Sequence, residues 1–433
     1  MPEPGRGAYQ VALTVRAPIR RDRVDELRRV LDQMGALARG TGGAGAPSIP
    51  WAAMDGVHFA RLLLLDDSTD LDGRLIPASL LYMAELDAPL DRHAHQLADR
   101  GAAGLDATFG LCEGYPAQPD GAARRAFLLE HSIPSQANYV NTVGRTVEQI
   151  QQEDALRRSI EAFLDANRDR LPDSPEGVRA AIQIHVRSEP TLAWATRRAP
   201  MPSPRWRAGE ALHMAANTVL VLAVLPFVLV ALPFYVVALR IHEMRDAAPH
   251  LRPDPEHARA LSAIEDFAAQ NQFSAVGYVK PGGLRKVTVA LVLWLIQQAA
   301  RHVFTRADLS GVKTIHFAHW TLLDDGRRVI FTSNYDNSLE SYMDDFIDKV
   351  AYGLNASFSN GVGFPRTKFL FFEGARHEHE FKDHLRIRQI PSQVFYSAYP
   401  ELSARNIDDN AYLRSGLFGP LARREVETWL RRL

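Results

Sequence analysis

Two histidines in matching local settings are the first candidates for chemistry in this chain. His58 and His316 each open a His-Phe-Ala triplet within an apolar run, and paired aspartates, Asp66-Asp67 and Asp324-Asp325, follow at the same distance. Imidazole is a general base and a common metal or haem ligand, and the alanine two residues on, Ala60 or Ala318, leaves space beside the ring on the same strand face. The plainer reading is a core histidine that ties its strand to a neighbour. His319 falls on the opposite strand face, at the position held by Arg61 in the first half, and is not expected to act with His316.

Carboxylates and guanidinium groups supply two further constellations. Ser333-Asn334-Tyr335-Asp336 closes a predicted strand, and Asp344, Asp345 and Asp348 lie on the helix expected after it. Asp344 and Asp348 share a helical face and, with Asp336, could hold a hard cation through oxygen. Acidic residues also suit an early helical turn, with Asp336 or Ser338 as the cap. Only Asp336 and Asp348 have acidic counterparts, Asp87 and Asp99, as expected of parts of the fold. Arg366, Arg376 and Arg414 with Tyr396 could grip a carboxylate, a phosphate or a peroxide-derived anion. Arg157 matches Arg414, which favours a structural tie there. His377 and His379, two apart in a charged run, diverge on a helix. No HExxH, GxSxG, P-loop or GxGxxG occurs, so hydrolase, kinase and dinucleotide-enzyme readings find no support.

The elements that must position these residues recur. Asp87, Leu90, Asp99, Gly104, Phe109 and Pro116 return at equal spacing as Asp336, Leu339, Asp348, Gly353, Phe358 and Pro365. Ile133-Pro134-Ser135-Gln136 returns as Ile390-Pro391-Ser392-Gln393, each followed by a tyrosine, Tyr139 or Tyr396. The spacing predicts a duplicated unit of roughly 160 residues, far longer than a solenoid repeat. In the first copy, alternation predicts strands at 9–15, 57–65 and 75–86, helices at 23–34 and 90–109, and a last strand near 126–139. The second copy repeats the order, with strands at 275–279, 313–323 and 328–335, helices at 284–303 and 339–358, a charged helix around 376–385 and a strand at 393–397; Asp325-Gly326 marks a type I′ hairpin turn. This β-α-β-β-α-β order is that of a ferredoxin-like unit. The fold class expected is α+β: two tandem ferredoxin-like lobes, 1–165 and 266–433, forming an intrachain α+β barrel around their bare sheet faces, with a helical insert, 166–265, between them.

At 433 residues, with 46% hydrophobic and 23% charged side chains, the chain has an ordinary globular composition. Its 50 basic and 51 acidic residues give no electrostatic footprint for nucleic acid, which is excluded as a partner. The single cysteine, Cys112, cannot form an internal disulfide, and a reducing, cytosol-facing location is the default expectation.

Within the insert, residues 218–239 carry no charge, and 15 of these 22 are Val, Leu or Phe. At ~1.5 Å per residue the segment is long enough for a hydrocarbon core of ~30 Å. A single crossing would place the lobes on opposite sides of the bilayer and forbid the barrel. Pro226 and Pro233 interrupt helical bonding, and arginines flank both ends: Arg197, Arg198, Arg205 and Arg207 before, Arg240, Arg245 and Arg252 after. A segment embedded in one leaflet, as a hairpin or shallow helix, is therefore expected, with both lobes facing the cytoplasm. A buried core helix is the alternative. Residues 287–296 are too few to span and read as a core helix. Proline-rich joints at 200–204 and 249–255 bound the segment, and helices are expected near 176–187 and 257–270.

The motifs His316-Phe317-Ala318, Phe331-Thr332-Ser333-Asn334-Tyr335-Asp336, Asp344-Asp345-Phe346-Ile347-Asp348-Lys349 and Gly363-Phe364-Pro365-Arg366 resemble a poorly characterised group of bacterial proteins. That group is placed loosely with the dye-decolourising peroxidases in the dimeric α+β barrel class. The resemblance covers most of the second lobe. It implies haem held by a second-lobe histidine, although the GxxDG motif that supplies the distal aspartate of those enzymes is absent. On this basis the leading expectation is a membrane-associated oxidoreductase, peroxidase-like, acting on a lipid or other apolar small molecule. His316 would bind haem, with Asp336 or Arg366 as its polar partner. The contrasting expectation is a non-catalytic binding or scaffold protein held at the bilayer. The sequence leaves the oligomeric state open.

Overall fold

The computed structural model describes residues 9–433 except 44, 198–201, 248–249 and 267; Arg198 and parts of both proline-rich joints lie outside the described residues. The chain runs β1 (Gln10–Pro18), α1 (Val24–Ala38), β2 (Val57–Leu65) and β3 (Ser79–Asp87). Then come α2 (Leu90–Arg100), α3 (Ala102–Thr108), α4 (Gly121–Glu130), β4 (Ala137–Val140), α5 (Val147–Ala166) and α6 (Pro175–Ser188). The long α7 (Pro204–Arg245) and α8 (Pro255–Ser262) lead to β5 (Gln270–Tyr278), α9 (Gly283–His302), β6 (Ile315–Leu323), β7 (Arg328–Asp336) and α10 (Leu339–Phe358). A small hairpin, Thr367–Lys368 with Phe372–Glu373, precedes α11 (Glu378–Arg388), β8 (Val394–Ser397), α12 (Ala404–Leu417) and α13 (Arg423–Leu430).

Three boundaries differ most from expectation, and in one of them the helix expected near 257–270 ends at Ser262, with Gln270 already opening β5. The helix expected over 90–109 breaks at Gly101 into α2 and α3. The stretch around residue 126, read as strand, is the helix α4, because Asp120 accepts a hydrogen bond from the Ala123 N–H and caps it.

The strands form two four-stranded antiparallel sheets, β1-β3-β2-β8 and β5-β7-β6-β4. Each sheet takes its fourth strand from the other half of the chain. The segment before β4 starts on the edge of β1, where the Ile133 N–H donates to the Thr14 carbonyl at 2.8 Å. Three residues later the Gln136 N–H donates to the Trp320 carbonyl in β6, also at 2.8 Å. The second half does the same: the Ile390 N–H binds the Ser274 carbonyl of β5, and β8 then pairs with β2, setting Val394 opposite Leu62. Ile-Pro-Ser-Gln is thus the crossing in both halves, with proline where no ladder donor is needed. The glutamine side chains lock the crossings: Gln136 accepts from the Leu322 N–H and Gln393 from the Leu64 N–H. Helix α1 packs closely on the second crossing because Gly35 has no Cβ, which would lie 2.0 Å from the Gln393 carbonyl oxygen.

All nine residues of β2 are buried, since both faces of its sheet are covered. Ala60, Leu62 and Leu64 face α1 to α4 through Leu27, Leu31, Leu97, Leu105 and Phe127. The other face meets the second sheet, where Leu63, Leu65, Leu81 and Met83 pack with Leu323 and Ile330. Outside the second sheet, α9, α10 and α11 cover Phe273, Ala318, Trp320, Phe331 and Tyr335. Helices α5, α6, α12 and α13 form a separate cluster around Leu156, Ile160, Ile182, Val186 and Trp429. Reciprocal ties bind it: Arg157 donates to Asn410 at 2.6 Å and Arg414 to Glu153 at 3.2 Å.

His93 of α2 is buried with its Nε2 2.8 Å from the Tyr82 hydroxyl, and burial pushes its pKa down to about 4. An unfolded histidine titrates near ~6.5, so between these values the unfolded chain binds a proton that the fold refuses. Stability is therefore complete above the unfolded value and falls as pH drops toward 4, by up to about 3 kcal/mol from this residue. Denaturant midpoints measured at pH 7.5 and 4.5 will fall less in His93→Phe than in the parent; an equal fall would show that His93 is not the group responsible.

Helix α7 runs unbroken for 42 residues through Pro226 and Pro233, where a hairpin or shallow helix was expected. It is long and apolar enough to cross a membrane, and none of its most apolar stretch is buried. Residues 218–234 are exposed on every face. Both ends are fastened to the body. Near the start, Glu210 pairs with Arg301 and Asn217 donates to Gln298. Near the end, the Tyr235 hydroxyl lies 2.8 Å from that of Thr288. The Glu243 carboxylate there accepts from the Thr367 hydroxyl and from the N–H groups of Phe369 and Leu370. Asp246, just beyond the helix, binds Lys280 and Arg285. In a straight helix Glu210 and Asp246 would stand ~54 Å apart, whereas Arg301 and Arg285 are only ~24 Å apart along α9. Side-chain reach makes up part of the difference, and the two prolines are the places where such a helix bends most easily.

Candidate functional site

The paired histidines lie where the two sheets meet, and each is bound into the framework. The Nε2 of His58 sits 3.0 Å from Asp87 Oδ1, and Asp87 Oδ2 accepts from the Val147 N–H at the start of α5. The Nε2 of His316 sits 2.7 Å from Asp336 Oδ1, and Asp336 Oδ2 accepts from the Ala404 N–H at the start of α12. Each aspartate thus answers an unpaired helix N-terminal donor and holds an imidazole at the end of its own sheet. The His58 Nδ1 lies 2.7 Å from the Tyr399 hydroxyl; Phe317 and Tyr399 lie against the His58 ring, and Phe59 and Tyr399 against that of His316.

Haem does not fit this arrangement. His316 is 2% exposed, its Nε2 already faces Asp336, and aromatic rings fill the space that a macrocycle would need. Arg366 is not beside it: its Nε donates to the Asp246 carbonyl at the end of α7. The structure joins His316 with Asp336 and leaves Arg366 elsewhere. The other constellations disperse as well. Arg414 serves Glu153, Tyr396 packs on Trp51, and Asp344 pairs with Lys382 at 2.5 Å. Ser338, not Asp336, caps α10.

A buried polar group that the sequence reading passed over lies between the sheets. Arg61, with no exposed surface, donates to the Phe273 carbonyl, to Ser274 Oγ at 3.1 Å and to Asn334 Oδ1, and stands 3.7 Å from Glu85. Glu85 in turn lies 3.3 Å from Nδ1 of His319, whose Nε2 meets the Thr332 hydroxyl. Burial pushes the Glu85 carboxyl up, but Arg61, His319 and Asn334 outweigh it and hold the group below its ordinary value, so it is ionised. The signal was present as a charged residue inside each of two largely apolar strands, Arg61 in VHFARLLLL and Glu85 in SLLYMAELD.

Space for a ligand opens elsewhere. An open groove of about 1450 Å³ lies at the root of α7, between the edges of the two sheets. Val11, Val57 and Tyr396 give it apolar walls, while Trp206 and Glu210 of α7 and Arg301 of α9 border it. Trp206 is fixed there by edge-to-face contact with Tyr9, 5.2 Å between ring centroids. The groove joins apolar wall to charged rim. No protein-family model, curated protein or solved structure matches the chain.

Proposed function

We propose that this chain is a membrane-attached binding protein. In this reading two copies of a ferredoxin-like unit close into one α+β barrel, a long helix anchors it in a single leaflet, and the groove at the helix root receives a lipid or similar amphipathic molecule. The observation that carries the reading is the apolar stretch 218–234, exposed on every face while both ends of its helix bind the same body. A helix apolar all round needs an apolar surrounding, and two fastenings on one body cannot lie on opposite sides of a bilayer. Neighbouring surface supports it. Val287, Leu291 and Leu295 on one face of α9, with Phe369, Phe371 and Phe372 of the small hairpin, are each about half exposed or more. Leu239, Val292 and Leu370 pack together and bring these elements to the same side as α7. Arginines at both roots of the helix, Arg205 and Arg207, Arg240 and Arg245, favour the cytoplasmic face for both ends. The matched His-Asp ties, crossings and helix pairs support descent of the halves from one unit. The enclosed His316 supports a reading without haem at that residue.

Sidedness tests the anchor. Arg207→Cys and Arg245→Cys, labelled with an impermeant maleimide in sealed vesicles, will react from the same side, since Cys112 is buried and silent. Labelling from opposite sides would overturn the one-leaflet reading.

A further inference from the structure

At the rim of the groove, the first turns of α7 and the last turn of α9 bring together three side chains of metal-ligating type. Glu210 and His213 are three apart on α7 and so share a face, and His302 comes from α9. One ligand atom from each lies within 4.8 Å of the other two. Nδ1 of His213 faces Nε2 of His302 at 3.0 Å, and Glu210 Oε2 lies 3.8 Å from Nδ1 of His302. The fourth member is Arg301, whose Nε and one terminal nitrogen grip the Glu210 carboxylate at 2.6 and 2.7 Å while the other lies 3.2 Å from Nε2 of His213.

We infer that Glu210, His213 and His302 form a binding site for a divalent transition cation of the zinc class, which takes the place of the Arg301 guanidinium beside Glu210. Two imidazole nitrogens and one carboxylate oxygen are donors that such a cation prefers, and three protein ligands leave a fourth position free. Glu210 and Arg301 both border the groove, so that position opens toward it. Arg301 is already a cation held against the same carboxylate. The displaced guanidinium stays at the rim, where it can meet an anionic group of whatever occupies the groove. This inference does not depend on the membrane reading, since the cluster lies outside residues 218–234.

The test is calorimetric titration of Zn²⁺ into the untagged full chain in mild detergent. One site per chain is expected. His213→Ala and His302→Ala should each weaken it by more than the ~10- to 100-fold that loss of a supporting partner costs. Arg301→Gln should bind at least as tightly as the parent, because no cation competes for Glu210. The pair His377→Ala with His379→Ala should leave the titration unchanged. No saturable uptake, or uptake that survives loss of both His213 and His302, would overturn the inference and leave a hydrogen-bonded clamp. Thermal unfolding keeps the test decisive if a histidine variant is unstable. Zn²⁺ will raise the Tm of Arg301→Gln if the site binds metal, and a variant destabilised equally with and without Zn²⁺ would count against it.

Discussion

Arg61→Ala is expected to lower folding stability by about 3–5 kcal/mol, the cost of removing one partner from a buried ion pair. The guanidinium has no exposed surface and serves acceptors on three strands: the Phe273 carbonyl and Ser274 of β5, Asn334 of β7 and Glu85 of β3. Without it, the buried Glu85 keeps His319, at 3.3 Å, as its remaining ion-pairing neighbour among the described residues. The same residues join the two sheets, so the loss is felt where the halves meet rather than inside one of them. The rescue identifies the cause. Glu85→Gln added to Arg61→Ala removes the stranded charge and should recover a substantial part of the loss, and Arg61→Met with Glu85→Leu should lie near the parent. Chemical denaturation with an unchanged m value reads these differences. A cost below ~1 kcal/mol for Arg61→Ala would mean that water reaches the pair and that the sheets do not close over it.

The second large effect concerns the anchor. Val224→Asp with Phe227→Asp places two carboxylates in the exposed stretch of α7, at about 2.5–3.5 kcal/mol each for a helix centre in lipid. The 15 Val, Leu and Phe residues of 218–239 contribute on the order of 5–9 kcal/mol to insertion, so the two substitutions cancel most of it. The parent should stay in the membrane fraction through a carbonate wash, and the double variant should move to the soluble fraction. Both side chains are exposed in the fold, so thermal stability in detergent should be unchanged. If the double variant remains with the membrane, that stretch is not what holds it there. A parent found wholly in the soluble fraction would remove the anchor altogether.

Alternation and helical spacing are local, and they suffice for most strands, for α1, α9 and α10, and for the turn at Asp324-Asp325-Gly326, where all three residues have positive φ. The membrane-length segment was equally legible, because composition over some 20 residues needs no tertiary partner. Tertiary structure alone decided the rest. Ile-Pro-Ser-Gln carries no mark saying that its strand will leave one sheet for another; that depends on which edge is free once β1 to β3 and β5 to β7 have paired. His316 looked available because the alanine beside it suggests space, yet rings from distant segments, Phe59 and Tyr399, fill that space. Glu210, His213 and His302 are separated by up to 92 positions and meet only because α7, fastened at both ends, lies against α9. Pattern along the chain reports which face a side chain prefers, whereas the partner it meets there is set by how the elements pack: His316 meets Asp336, and His213 meets His302 and Arg301.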